Sequence, residues 1–132
     1  HIKKLRQKNL YRDLPNSLAD YKEYNYPNTK HYAILKNESL VSALTIIKHT
    51  TNKKKSAQLR GMFTVQKELK KGYGSLLIDK VSFKLKEENM SLIWCNSRIN
   101  VIDFYKKNKF KEIGKTFSIN LLGDHKKLIR KL

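Results

Sequence analysis

Cysteine, proline, glycine and negative charge are all scarce in this chain of 132 residues. The one cysteine, Cys95, cannot close a disulfide within the chain, which excludes a disulfide-stapled scaffold and leads us to expect a reducing, cytoplasmic setting. That cysteine and four histidines (His1, His31, His49, His125) show no metal-ligand spacing, so no zinc module and no metal are expected. Two prolines and five glycines leave few breaks, and no linker or internal repeat divides the sequence. One domain over residues 1–132 is the expectation. No apolar run approaches the roughly 20 residues that cross a bilayer, and the opening HIKKLRQKNLY lacks the apolar stretch of a signal peptide. No membrane partner is expected. Hydrophobic residues at 39% and aromatics at 10% exclude a disordered chain.

What the chain has in excess is lysine. Twenty-nine basic residues stand against 11 acidic ones, for a formal net charge of +18 at pH 7. Such a charge raises the prospect of nucleic acid. Yet 24 of the 29 are Lys and only 5 are Arg, and Lys, Asn and Ile, the residues of adenine- and thymine-rich codons, fill 46 of the 132 positions. Arg is the better binder of phosphate and of base edges, and it is not enriched. No helix-turn-helix signature, aromatic RNP-type strand or zinc knuckle accompanies the charge. A basic nucleic-acid-binding module is therefore the second reading, and no specific nucleic-acid partner is expected.

The pattern of apolar residues predicts a mixed fold. Ile2 to Leu14 reads as a basic amphipathic helix ended by Pro15, and NSLADYKEYNYPNT as helix or loop. HYAILKN and LVSALTIIKH, split by Asn37-Glu38-Ser39, read as a hairpin, with TTNKKKS as the next loop and Lys53-Lys54-Lys55 at its solvated tip. AQLRGMFTV alternates Leu59, Gly61, Phe63 and Val65 against Arg60, Met62 and Thr64, which predicts a third antiparallel strand. Tyr73, Leu77, Val81 and Leu85 recur at i+4 and predict a long helix. SLIWCN reads as a strand buried on both faces. RINVIDFYKKNKF follows as a helix with Ile99, Ile102 and Tyr105 in register, and FKEIGKTFSINLL and HKKLIRKL as two final strands. A meander passing into a β-α-β unit makes an α/β (α+β) domain: a mixed sheet, mostly antiparallel, with helices on both faces.

Three segments could carry chemistry. In KELKKGYGSLL, Gly72 and Gly74 stand where a loop gives way to the long helix. Two glycines let backbone approach a ligand, and first-turn amides bind anions, so a phosphate or pyrophosphate suits residues 70 to 75. Lys70 and Lys71 add charge and Ser75 a donor. The plainer reading is a helix cap that needs small residues, and neither a Walker loop nor G-x-G-x-x-G is present. In FYKKNKF, the phenol of Tyr105 could donate a proton to a leaving group, although a core tyrosine is the plainer reading. Cys95 has no base nearby and reads as a small core residue rather than a nucleophile. Asn96 and Ser97, at the end of that strand, could bond a ligand's amides. His125 could be a general base or a packing residue.

Taken together, QLRGMFTV, KKGYGSLLI, WCNSR and DFYKKNKF resemble the GNAT acyltransferase superfamily from about His31 to Leu132. LRGM, FY and GDH narrow the likeness to one bacterial branch of uncharacterised N-acetyltransferases. The resemblance implies acetyl-CoA as donor and an amine, on a small molecule or a peptide, as acceptor. Backbone groups of Met62, Phe63, Thr64 and Val65 would meet the pantetheine arm in a splay of the sheet, with an amide near Phe63 polarising the thioester carbonyl. Leu69, Lys70, Lys71 and Gly72, with Tyr73, Gly74 and Ser75, would hold the pyrophosphate. Asn96, and also Arg98 and Asn100, would border the cofactor, and Tyr105 would protonate the departing thiolate. A neutral amine would attack the thioester directly, without an acyl-enzyme. A homodimer is compatible with the resemblance.

The chain departs from the family pattern at several places. Leu69 replaces the Gln/Arg of Gln/Arg-x-x-Gly-x-Gly/Ala, Lys70 takes a place that is often Gly, and Lys109-Phe110 replaces Gly-Phe. Val101 stands where Ala is common. No Glu lies on LRGMFTV, where many members keep the general base, so His125, a water relay or an acceptor that arrives deprotonated would have to serve. A CoA-binding fold without catalysis is thus a third reading. The sequence opens inside what resembles the family's first helix, so the family's first strand is expected to be missing.

Overall fold

β-Branched and aromatic residues crowd the sequence between 29 and 64, and three strands form there: β1 (Thr29–Lys36), β2 (Ser39–Thr51) and β3 (Lys54–Thr64). The computed structural model describes residues 2–10, 27–51 and 54–132. Before the strands lies the helix α1 (Ile2–Leu10). Residues 11–14 of the expected opening helix, and most of NSLADYKEYNYPNT, lie outside the described residues. After β3 come the helix α2 (Tyr73–Glu87), β4 (Leu92–Arg98), the short helix α3 (Ile102–Lys107), β5 (Lys111–Ile119) and β6 (Gly123–Lys131).

The six strands make one sheet in the order β1-β2-β3-β4-β6-β5. Every neighbouring pair is antiparallel except β3 and β4. Those two run parallel because α2 is the crossover between them. The expected mixed, mostly antiparallel sheet is what forms. On one face, Leu77, Ile78, Val81 and Leu85 of α2 pack on Leu44, Ile46, Ala57, Leu59, Ile93 and Leu128. Each such side chain stabilises by about 1.5–3 kcal/mol on burial. Thr45 alternates with Leu44 and Ile46 and so faces the other way, where Arg6 of α1 meets it. Helices therefore cover both faces, as expected.

Both later helices end in the same way. Asn89 and Lys109 take positive φ (63° and 70°). Each amide donates to the carbonyl three residues back (Lys86 and Lys106), and the following Met90 and Phe110 donate to Leu85 and Tyr105. These are Schellman ends, with Met90 on Leu85 and Phe110 on Tyr105 as their apolar closures.

Four sequence expectations change. Thr51 and Thr50 pair with Lys54 and Lys55, so two of the three lysines assigned to a loop tip are already strand. β4 is not buried on both faces: Ile93, Cys95 and Ser97 are buried, whereas Trp94 is only partly covered, by Lys127 Nζ at 4.7 Å and the His49 ring at 6.1 Å. Ile99 leaves the helical stripe for a 3-10 turn (Ile99–Val101) and is 44% exposed.

The fourth change matters most. The simple alternation along AQLRGMFTV fails at Gly61. Thr45 pairs with Arg60 but Ala43 pairs with Phe63, so Leu44 faces two residues of β3, Gly61 and Met62. This is a bulge, with Gly61 in the left-handed region (φ +56°). Beyond it the side chains swap faces. Leu59 and Met62 join the α2 core, and Phe63, opposite Ala43, turns to the other side.

Candidate active site

β3 and β4 are paired only from Ser56–Gln58 to Leu92–Trp94. Beyond that point β3 runs on to Thr64 and β4 to Arg98, and the two strands part. A cleft of about 990 Å³ opens in the gap, bounded by both strands, the glycine loop, α3 and His125 at the start of β6. Because the strands diverge, backbone polar groups that would bond across a sheet face the cleft. The Val65 amide donates to the Val41 carbonyl at 2.9 Å. By alternation Phe63 also bonds toward β2, and the N–H and C=O groups of Met62 and Thr64 turn to the gap. The groups that face the gap are thus those of the two residues flanking Phe63.

The glycine loop closes one end of the cleft. A 3-10 turn (Gln66–Glu68) leads through Leu69 and Lys70 (φ +62°) to Gly72 (φ +85°), the N-cap of α2. Gly72 can take that conformation without a Cβ penalty. The first intrahelical bond is Leu76 N–H to Gly72 C=O, at 3.0 Å. The amides of Tyr73, Gly74 and Ser75 precede it, have no partner of the i−4 type within the helix, and belong to residues that border the cleft. Gly74 is a point of close packing. A Cβ there would stand 3.1 Å from Phe104 Cζ and 3.2 Å from Met62 Cε, so α2, α3 and β3 meet at this point.

Sequence reasoning missed Glu68, which reads as one more surface charge in KELKK. It is buried on the cleft side of the loop, paired with Lys71 Nζ at 3.1 Å and Lys36 Nζ at 3.5 Å. The hydrogen bond from Lys71 holds its carboxyl below the usual carboxylate range, with the charge of Lys36 adding to this and burial opposing it. Lys71 is thus engaged with Glu68 rather than on the cleft wall. Val65 likewise lies off the wall, bonded to β2. The other expected site residues, from Met62 and Leu69 to Asn100, border this single cleft.

Tyr105 is 9% exposed at the cleft, with its ring edge-on to Phe104 (5.2 Å between centroids) and Phe110 (5.3 Å). His125 is 3% exposed and also borders the cleft. Its Nδ1 lies 2.8 Å from the Gly123 carbonyl, which can only accept, so Nδ1 carries a proton, and Nε2 is the nitrogen left to exchange one. Cys95 is buried, and burial pushes its thiol up to about 12, which removes it as a nucleophile. Asn96 and Asn100 stand exposed at the rim. The Ser97 hydroxyl donates to the Arg98 carbonyl at 2.9 Å. Arg98 Nη2 donates to the Leu10 carbonyl of α1 at 3.1 Å.

Known proteins are similar to this chain in sequence and in fold. Residues 2–110 match the Acetyltransferase (GNAT) family. An uncharacterised N-acetyltransferase, YitI of Bacillus subtilis (strain 168), is 30% identical over 108 residues, covering 80% of this chain and 72% of that one. Among solved structures, a GNAT-family acetyltransferase from Staphylococcus aureus Mu50 superposes with a TM-score of 0.77 over 99% of this chain and 91% of its own, at 23% identity. An aminoglycoside 6'-N-acetyltransferase complexed with coenzyme A superposes with a TM-score of 0.80 over 98% and 88%, at 12% identity. At these identities the two structures share the fold.

Proposed function

The chain belongs to the GNAT acetyltransferase family, and from that premise we propose that it transfers an acetyl group from acetyl-CoA to a primary amine, on a small molecule or a peptide, by direct attack. The observation that carries this reading is the parting of β3 and β4 with a helix N-terminus at its mouth. The residues present fit the donor. Met62 and Thr64 offer backbone groups to an amide-bearing chain, the amides of Tyr73 to Ser75 suit a pyrophosphate, and Lys70 adds charge beside them. Asn96, Arg98 and Asn100 border the opposite side.

When bound, acetyl-CoA supplies an acyl group activated as a thioester. The Met62 amide serves as the oxyanion donor at the acyl carbonyl. Tyr105 Oη holds the proton that the departing sulfur needs. Its burial among Phe104 and Phe110 fixes the ring and excludes water from it. His125 Nε2, with Nδ1 committed to Gly123, can take the proton that the amine loses. No carboxylate on β3 competes for that task. With its thiol protonated up to about 12, Cys95 offers no route to an acyl-enzyme.

Thermal denaturation with and without acetyl-CoA tests this reading. At about 100 times Kd, ligand stabilises by roughly 2.7 kcal/mol. A domain of this size should then melt on the order of 10 °C higher. A panel of amines with thiol-release detection identifies the acceptor. No shift at millimolar acetyl-CoA would sink the proposal. Binding of duplex or single-stranded nucleic acid that survives about 150 mM salt would favour the nucleic-acid alternative.

A further inference from the structure

Arg6 of α1, at 1% exposure, is the most deeply buried charged side chain among the described residues, and the chemistry above makes no use of it. Its Nε donates to the Gly61 carbonyl at 2.8 Å, and its Nη2 donates to Thr45 Oγ1 at 2.7 Å. His31 Nδ1 lies 2.8 Å from the same hydroxyl. Thr45 faces Arg60, the residue just before the bulge, so both bonds fall at the place where β3 slips. A Cβ on Gly61 would stand 2.2 Å from Arg6 Nε. Arg6 thus fills the space a side chain at 61 would need. At the other end of α1, Arg98 of β4 holds the Leu10 carbonyl. The helix is joined to β3 and to β4, across the mouth of the gap between them.

We infer that Arg6 is a positioning residue for acetyl transfer: it holds the Gly61 bulge, and with it the backbone amides of Met62 and Thr64, in the orientation that faces the cleft. The inference rests on the acetyl-transfer reading above. A bulge is one residue of slip, and undoing it exchanges the amides that face the gap for those that face β2. A left-handed glycine alone resists that exchange weakly, because glycine adopts either sign of φ with ease. Two bonds from a guanidinium, in a buried setting, hold it firmly. Arg6 touches no reacting atom. It acts through Gly61.

Arg6→Lys and Thr45→Val separate this role from simple support of the fold. In the folded variants, kcat for thiol release should fall on the order of 10- to 100-fold for Arg6→Lys, because an oxyanion donor displaced by about 1 Å loses its effect. KM for acetyl-CoA and Kd for CoA should rise by a smaller factor than kcat falls, since the glycine loop keeps the pyrophosphate end while only the contacts to Met62 and Thr64 loosen. Thr45→Val, which removes one of the two bonds, should lose less. A folded Arg6→Lys enzyme with kcat within twofold of wild type, or with a raised KM and an unchanged kcat, overturns the inference. Gly61→Ala gives an independent arm: it keeps Arg6 but drives Cβ against Nε, and should show the same kcat loss with CoA still bound. Wild-type kcat in Gly61→Ala also overturns it. Amide hydrogen exchange at Phe63 reads the bulge without any activity. Protection there should drop about 10-fold or more in Arg6→Lys, and unchanged protection overturns the inference. Failure of the acetyl-transfer reading would instead appear in the wild-type protein, as no acetyl-CoA shift and no thiol release.

Discussion

Between β3 and β4 the sheet has a closed half and an open half, and they obey different rules. In the closed half, Ser56–Gln58 pair with Leu92–Trp94, and Ile46, Ala57, Ile93 and Leu128 are buried in regular alternation. In the open half, a bulge breaks the alternation, Gly61, Lys70 and Gly72 take left-handed conformations, and Arg6, Glu68 and His125 are buried. The closed half exchanges water for apolar neighbours. The open half leaves backbone groups unpaired with a neighbouring strand and keeps polar groups out of water, both of which cost stability. The difference suggests a division of labour: regular packing fixes the two strands at one end, and the irregular backbone and buried polar groups gather at the other, around the cleft.

Two substitutions try to break that division. Tyr105→Phe, in the open half, should lower kcat by about 10²- to 10⁴-fold, the usual worth of a positioned general acid. The acetyl-CoA melting shift should survive, because the pyrophosphate end is unaltered. Thermal shift and thiol release on one preparation check this, and equal activity would remove Tyr105 from its role. Ile93→Ala, in the closed half, should cost about 2–5 kcal/mol of stability by leaving a cavity under α2. Measured by urea unfolding, that loss should come with kcat within about twofold at a temperature where the variant is folded. If kcat fell with stability, the two halves would be one mechanical unit and the division would fail.

The same division decides what was legible in the sequence. The runs HYAILKN and LVSALTIIKH, and the i+4 spacing of Leu77, Val81 and Leu85, announce β1, β2 and α2 because each depends only on which face is buried. The position of the glycine loop was legible for a similar reason, since the apolar spacing that begins at Tyr73 marks where the helix starts. What escaped depends on residues far apart in the chain. Arg6 and Gly61 are 55 positions apart, and nothing in RQKNL marks Arg6 as a cation that goes inside. A glycine within an alternating strand was itself a signal for a bulge or a close backbone approach. Its partner was not visible, and so neither was the swap of faces at Phe63. Glu68 escaped because Lys67, Lys70 and Lys71 make it look like part of a solvated charge run, while its second partner, Lys36, lies 32 positions away.

The smallest expected effect lies beneath the open half, at the Schellman end of α3. Lys109 holds φ +70°, its amide donates to Lys106 at 3.1 Å, and the next amide donates to the Tyr105 carbonyl at 3.0 Å. In sequence, Lys109 departs from the Gly-Phe of the family it resembles; in backbone it keeps the glycine conformation. A left-handed lysine costs roughly 1–2 kcal/mol, and glycine gives back part of that through its greater freedom in the unfolded chain. Lys109→Gly should therefore stabilise by about 0.5–1 kcal/mol, or roughly 2–5 °C in Tm. The carbonyl and ring of Tyr105 keep their partners, so kcat should not change. A gain in stability at constant kcat would mean that the strain at Lys109 is incidental to the open half. A fall in kcat would mean that the hold on Tyr105 depends on Lys109 itself, and would extend the open half down to the end of α3.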